Sequence, residues 1–474
     1  MRSPDTPPRM TPAPGFRTVA LIIASAMFME QLDGTILATA LPSMAESFDV
    51  SPLHMSVALT SYMLSLAVFI PASGAIADRY GSRNVFRSAI LLFTIGSILC
   101  GLSGNLPLLV LSRLLQGMGG AMMVPVGRLV LLRSVPKSEL VSAMSWLLVP
   151  ALIGPVIGPP LGGFIVTWAS WRWIFYINVP IGIAGMWLAT KYVPDIRITE
   201  RQRFDRLGFV LSGISLSCLV FGLELASRGG TSGLGSVGLI LGGLLVGAVY
   251  VWHSRRVANP ILDLSLMAFP TFRLSVIAGS LTRITAGSVP FLLPLMMQLG
   301  FGFSAAHSGV VTFVSALGAM LMKATAAPVL RMWGFRATLA WNGVLSMVCV
   351  ALCAAFRPDW PLWTIYTVLL LSGFFQSLQF SAYNTVAYAD VPSERFSSAT
   401  SFYTTFQQLM LSLGICVAAA ALHVSVAWNG HAHAQLPDFS VAFLVVTFVS
   451  LIAAPVCLAL PRNAGAEMSG HRGR

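Results

Sequence analysis

Fourteen stretches of this chain stay apolar over lengths that cross a bilayer, with short polar connections between them. Hydropathy places them at about 18–41, 55–77, 85–103, 106–132, 141–166, 170–192, 207–225, 235–253, 272–298, 306–330, 337–356, 361–384, 397–422 and 440–460. A helix needs about 20 apolar residues to span hydrocarbon, and a membrane barrel would alternate polar and apolar positions, so the long runs predict an all-α integral membrane protein. Residues 1–17 carry Pro4, Pro7, Pro8, Pro12 and Pro14 among scattered charge. They predict a disordered tail, too polar to be a signal peptide.

Composition agrees with that pattern. At 474 residues, 56% hydrophobic and 10% charged, with a mean hydropathy of +0.78, the chain is excluded from the soluble multidomain class. The net charge of +12 does not point to nucleic acid, because the Lys and Arg sit in short loops and not on one soluble face. Of the 29, the tail, the even-to-odd connections and the C-terminal segment hold 22, among them Arg79, Arg83, Arg87, Arg133, Lys137, Lys191, Arg197, Arg201, Arg203, Arg206, Arg255 and Arg256. The opposite connections hold Arg172, Arg228 and Arg357, and Arg113, Arg128, Arg283 and Lys323 lie within spans. By the positive-inside rule both termini are expected in the cytoplasm. Trp168, Trp171 and Trp173, and again Trp360 and Trp363, gather at outer connections and read as interface anchors.

Other chemistry is thin. The six cysteines all lie in apolar segments, which argues against a disulfide framework and a metal site. His431 and His433 read as solvated loop residues. No phosphate-binding loop, nucleophile motif or metal-ligand cluster occurs in a soluble segment, so an enzyme is not expected.

The polar residues inside the spans are therefore the candidates. Glu30 and Asp33 interrupt the first span in the string LDGTILATALP and its approach. A carboxylate at membrane depth costs about 2.5 to 3.5 kcal/mol on insertion scales, so both are expected to face a wet or protein-lined interior as an ion or proton site. Arg113 in the fourth span cannot lose its proton and needs an anionic partner, and Glu30 and Asp33 are the buried acids of the first half. A fixed structural ion pair is the alternative. The string GAIADRYGSR ends the second span. There Asp78 and Arg79 leave the membrane together, Gly81 permits a tight turn and Arg83 reaches back, making either a latch or a plain basic loop. The fifth span is dense in Pro150, Gly154, Pro155, Gly158, Pro159, Pro160, Gly162 and Gly163. Gly154, Gly158 and Gly162 form a small-residue ridge for close helix contact, and the prolines predict a bend. Arg283 and Lys323, cations in the second half without an intramembrane acid, are candidates for substrate binding and suit an anion at least as well as a cation. Glu224 lies too near the end of its span to be assigned as a counter-ion.

Gly81 and Arg83 recur as Gly334 and Arg336, each between the second and third spans of a six-span block. The expected organisation is a cytoplasmic tail at 1–17, a six-helix bundle at 18–192, and two extra helices at 207–253 outside the transport core. A cytoplasmic connection at 254–271, a second six-helix bundle at 272–460 and a tail at 461–474 follow.

LDGTILATALP, GAIADRYGSR, the Arg113 segment, the Gly/Pro span and SWRWIFYINVPIG together resemble the major facilitator superfamily. The resemblance is to its fourteen-helix drug:proton antiporter branch of the EmrB and QacA type, and within that to the HsrA and MdtD group. NPILDLSLMAFPTFR after the eighth span is similar to that branch's connection. The resemblance implies the major facilitator fold, two six-helix bundles plus two added helices, as a multi-pass protein of the bacterial inner membrane. It implies proton-coupled alternating access exporting drugs or small metabolites, driven by the proton gradient without a bound cofactor. Asp33 and Arg113 would serve in proton coupling, with Glu30 a departure from the family pattern that leaves open which acid titrates. Gly74, Asp78, Arg79, Gly81 and Arg83 would form the cytoplasmic gate, and the span from Pro150 to Gly163 the antiporter helix. The implied partners are the lipid bilayer, a small-molecule substrate and protons, with no nucleic acid and with any periplasmic adaptor unassigned. A carrier of anionic or zwitterionic metabolites and a non-transporting membrane scaffold are the alternatives.

Overall fold

The structure, a computed structural model, describes residues 16–134, 140–194, 204–227, 233–461 and 464–469. Most of the N-terminal tail, Lys137, Arg197, Arg201, Arg203, Arg228 and the last residues of the C-terminal tail lie outside the described residues, as do the side chains of Arg133 and Pro150. The long helices are α1 (Phe16–Ile36), α2 (Ser56–Tyr80), α3 (Ser82–Leu102), α4 (Leu106–Ser134), α5 (Leu140–Trp168), α6 (Asn178–Tyr192), α7 (Arg206–Ser227), α8 (Gly233–Ser254), α9 (Pro270–Leu295), α10 (Ala305–Cys353), α11 (Leu362–Val386), α12 (Phe396–Asn429) and α13 (Leu436–Leu451). No strand occurs among the described residues. Twelve helical segments there are long and apolar enough to cross a membrane. One of them, α10, breaks at Gly334 (φ 70°, ψ 170°) into two limbs. Helix α5 carries a shorter apolar stretch, Ile153–Trp168.

Local chemistry sets the helix ends. Gly81, at φ 88°, closes α2 and opens α3, a conformation that L side chains avoid. Gly334 makes the matching turn inside α10, so the sequence repeat has a shared backbone cause. Ser304 caps α10 by accepting from His307 N, and a Gln435/Asp438 capping box starts α13. Helix α5 continues as a helix through Pro155, Pro159 and Pro160.

One end of the helix bundle carries Trp168, Trp171, Trp360 and Trp363 at or beside helix termini, and the other carries Arg79, Arg83, Arg331 and Arg336 beside the Gly81 and Gly334 turns; these are here the Trp end and the basic end. At the Trp end one apolar core unites the two halves of the chain, from Ile36, Leu41, Met44 and Leu59 to Phe291, Leu292, Ile415 and Leu422. Towards the basic end the apolar clusters stay separate. One is built from residues 19–193, and the others from residues beyond 249. At the basic ends of α2 and α12, Tyr80 and Phe396 are exposed.

The Trp-end seam is made by backbones in close approach. Helix α1 runs into a 3-10 turn at Leu37–Ala40, and α9 into a π turn at Met296–Gly300. Gln298 Nε2 on the second donates to the Thr39 carbonyl on the first, 3.1 Å away. Beside it, Thr167 Oγ1 accepts from Ala306 N at 2.9 Å. A Cβ at Gly163 would collide with the Ala305 backbone, and one at Gly309 with the Pro159 carbonyl.

Two expectations change. Trp171 is buried at 2% exposure and donates Nε1–H to Ser47 Oγ at 2.9 Å, so it is a core residue, whereas Trp168, Trp173 and Trp363 are exposed. His431 has an acidic neighbour, with Nδ1 lying 2.8 Å from Asp438 Oδ2. The added pair, expected outside the transport core, touches both halves through α7, which packs against α2 and α12.

The seam yields a prediction. Gly163→Val should destabilise the closed Trp end by about 1–3 kcal/mol through overpacking, read as faster alkylation of a Thr39→Cys reporter. Gly104→Val, where a Cβ meets nothing within 4 Å, should leave that rate unchanged.

Candidate functional site: a buried ion pair beside a half-satisfied acid

Asp33 and Arg113 meet where α1, α2, α4 and α6 converge. Both are sealed, at 1% and 0% exposure, and Arg113 Nη1 donates to Asp33 Oδ2 at 2.5 Å. The other Asp33 oxygen accepts from Gln116 Nε2 at 2.7 Å and Asn178 Nδ2 at 3.1 Å. Arg113 is held in turn by the Ala58 carbonyl at 3.1 Å, by Gln116 Oε1 at 2.7 Å, and by the Tyr62 ring, 4.3 Å from its guanidinium carbon. Ser97 Oγ accepts from both amides, at 3.1 Å from Gln116 and 2.9 Å from Asn178. Arg113 Nη2 and Asn178 Oδ1 have no partner among the described residues. In such low-dielectric surroundings the pair is tolerable only because each charge is opposed and hydrogen-bonded.

Glu30 sits one helical turn towards the basic end, at 8% exposure. Among the described residues its Oε2 has no partner, and neither has the nearby Tyr62 hydroxyl. Gly120 makes room for both: a Cβ there would stand 2.9 Å from Tyr62 OH and 3.6 Å from Glu30 Cγ. The exposed Arg128 acts electrostatically on Glu30, and Asp33 repels it. The two acids thus differ in kind. Asp33 accepts three hydrogen bonds over its two oxygens, and Glu30 is buried with one oxygen unpartnered among the described residues.

The Gly/Pro helix lies directly behind the acids. A Cβ at Gly154 would stand 3.0 Å from Gln31 Cβ and 3.2 Å from the Phe28 carbonyl, and at Gly158 and Gly162 it would crowd Thr35 and Ile36. The Gly154, Gly158 and Gly162 ridge therefore beds α1 on α5, while Pro159 and Gly163 face the first limb of α10. One helix touches both the acid-bearing α1 and the opposite half.

At the basic end Gly81 makes the turn described above. Arg79 stacks 5.5 Å from the Tyr80 ring centroid, Asp78 is half-buried, and the buried Arg83 Nε has no partner. Gly74 is not a contact point, since a Cβ there meets nothing within 4 Å.

The second-half cations share a helix face. Arg283 is 4% exposed, with Nη2 donating to Tyr403 OH at 3.0 Å, Asn384 Oδ1 at 3.2 Å and Gln407 Oε1 at 3.5 Å. Its Nε is unpartnered. Lys323, exposed, donates to Ser381 Oγ at 2.9 Å. Ser381 and Asn384 are three residues apart on α11, so both cations address one stretch. The partners of Arg283 among the described residues are neutral. A small cavity opens beside it, lined by Thr282, Ser346, Gln376, Gln379 and Phe380.

A profile of the Major Facilitator Superfamily matches residues 23–415 and 275–471. The chain belongs to that superfamily. It is 38% identical over 442 residues to MdtD of Salmonella paratyphi A, a protein provisionally named for multidrug resistance, covering 92% of this chain and 94% of that one. The MdtD of Salmonella typhimurium matches to the same extent. Among solved structures, a D-xylose-proton symporter superposes with a TM-score of 0.68 at 14% identity, covering 94% of this chain and 98% of that one. The nucleoside transporter NupG superposes with a TM-score of 0.65 at 16% identity, with the same shares covered. At such identities these two share the major facilitator fold alone.

Sequence reasoning paired Asp33 with Arg113 but missed Gln116, Asn178, Tyr62 and Arg128. Gln116 was findable, since it follows Arg113 by one helical turn. Asn178 sits within the quoted string SWRWIFYINVPIG, yet nothing in its spacing points at Asp33.

Arg113→Ala leaves Asp33 buried without its counter-charge and should destabilise the protein by about 3–5 kcal/mol, seen as a lowered thermal midpoint in detergent. Asp33→Asn keeps an acceptor oxygen for Arg113 and should lower it less. Equal midpoints for Arg113→Ala and wild type would mean that the pair carries no stability.

Proposed function

We propose that this protein is a proton-coupled secondary transporter that exports drugs or small metabolites across the bacterial inner membrane by alternating access. The observation that carries the reading is the sealed Asp33–Arg113 pair standing next to Glu30, whose Oε2 has no partner among the described residues. A guanidinium favours the charged carboxylate and burial disfavours it, so any motion that changes either balance loads or releases a proton. The similarity to the MdtD proteins supports export. Two limbs of α10 and the full length of α5, added to the other long helices, make fourteen spans. With the basic end in the cytoplasm, as the loop charges favour, both termini are cytoplasmic.

In this reading the bundles at 18–192 and 272–460 rock about the α5–α10 and α2–α12 seams, and the state described is closed at the Trp end. The α5 ridge transmits that motion to α1, because α5 touches α1 on one side and α10 on the other. Asp78, Arg79, Gly81 and Arg83 latch the cytoplasmic end in the opposite state. The driving force is the proton gradient, and no bound cofactor is needed.

Arg283 favours a second cargo class. A buried guanidinium with neutral partners and a free Nε suits an anionic or zwitterionic metabolite better than a lipophilic cation.

Proteoliposomes with an imposed pH gradient, screened with lipophilic cations and small carboxylates, test the function. Uphill transport of at least one compound is expected in wild type. Asp33→Asn should lose the pH-driven accumulation by an order of magnitude or more while keeping downhill exchange, as expected when a site is needed only for coupling. Arg283→Gln should abolish carboxylate but not cation transport. No substrate-dependent proton flux for any compound would leave a membrane scaffold as the reading.

A further inference from the structure

The two added helices lack an assigned part in transport, yet a buried acid belongs to them. Glu224 lies one turn from the Trp end of α7, at 2% exposure. Its Oε1 accepts from Ser56 Oγ at 2.6 Å and its Oε2 from Thr60 Oγ1 at 3.3 Å, both on α2 in the first half. Oε2 also lies 3.6 Å from Cys416 Sγ, on α12 in the second half. A carboxylate offers about four acceptor positions, so one side chain can serve two helices at once.

We infer that Glu224 is a releasable pin that ties the added helix pair to both halves at the closed Trp end and so sets the balance between the two access states. The inference rests on the alternating-access reading above. Helices α2 and α12 pack along one another across the two halves, and α7 lies against both. Opening the Trp end separates α2 from α12 there. One side chain of fixed length cannot follow Ser56 and Thr60 in one direction and Cys416 in the other. One set of contacts is lost, and the hydroxyl bonds to the carboxylate are the stronger set, while the thiol contact is weak. The pin therefore parts at Cys416, leaving α7 with the first half.

Helix α8 follows α7. Ser215 Oγ donates to the Gly243 carbonyl at 2.8 Å, and a Cβ at Gly222 would stand 2.9 Å from Ile240 Cγ1, so the two are packed backbone to backbone. The added pair then moves as one body with residues 18–192 and biases the seam through Glu224. Glu224 is a positioning residue in this scheme, since it acts through α2 and α12 and not on cargo.

Hydrogen–deuterium exchange of the full chain in lipid nanodiscs tests this. Compared with wild type, Glu224→Leu should speed exchange at the Trp-end segments 37–47 and 291–300 by about two- to fivefold, the size expected for losing the one thiol–carboxylate contact that differs between the access states. The same variant should slow exchange at the basic-end segments 70–80 and 386–396. That reciprocal change marks a shift between access states, which local loosening cannot produce. Cys416→Ala removes the state-dependent contact from the other side and carries the test should Glu224→Leu fail to fold. Glu224→Gln, which keeps one acceptor oxygen, should fall between. Unchanged exchange, or faster exchange without slowing at the basic end, would overturn the inference. Proteoliposome transport by the wild type is read in parallel: its absence would overturn the transporter reading by itself, and the exchange pattern would still decide the role of Glu224.

Discussion

A guanidinium and a carboxylate, both out of reach of water, cannot be left alone in a low-dielectric interior, and much of the first half is arranged to satisfy them. Arg113 takes the Ala58 carbonyl, Gln116 and the Tyr62 ring, and Asp33 takes Gln116 and Asn178. Four helices are thereby fixed around one pair. The same requirement makes the pair responsive, because its stability depends on the distance between two groups carried by different helices. Glu30, buried with an unpartnered oxygen between Tyr62 and Gly120, supplies a second acid whose environment differs from the first.

Close backbone approach is the second constraint. Glycines at 154, 158 and 162 let α5 lie on α1, and Gly163 and Gly309 let α5 lie on α10. A chain of such contacts transmits displacement well, since packed backbones have no side-chain slack to absorb it. The irregular turns that end α1 and α9 meet through Gln298 and Thr39, so the Trp end is held by both apolar burial and directional bonds. Among the described residues the basic end has no shared apolar core.

The sequence made the helices, the Asp33–Arg113 pairing and the Gly81/Gly334 repeat legible, for physical reasons. Length of apolar run, intramembrane charge and a positive-φ turn are local properties, and each leaves a mark in composition or spacing. What was hidden depends on tertiary neighbours. Asn178 and Ser97 are neutral and small, so hydropathy does not mark them. Trp171 and Trp168 are indistinguishable by position near a helix end, yet only the first finds Ser47 and Phe175. Glu224 looked like a helix-end acid because its partners, Ser56 and Cys416, are brought to it from distant parts of the chain. His431 looked solvated because its acid, Asp438, arrives through the turn that caps α13.

We propose that the first-helix acids take up and release a proton as a coupled pair. Infrared difference titration of the purified protein in lipid measures this without a transported compound, by following the carbonyl band of protonated buried carboxyls as pH is lowered. The account predicts a band that titrates in wild type and is changed in both Asp33→Asn and Glu30→Gln, since each acid sets the environment of the other. A titration identical to wild type in both variants would contradict it.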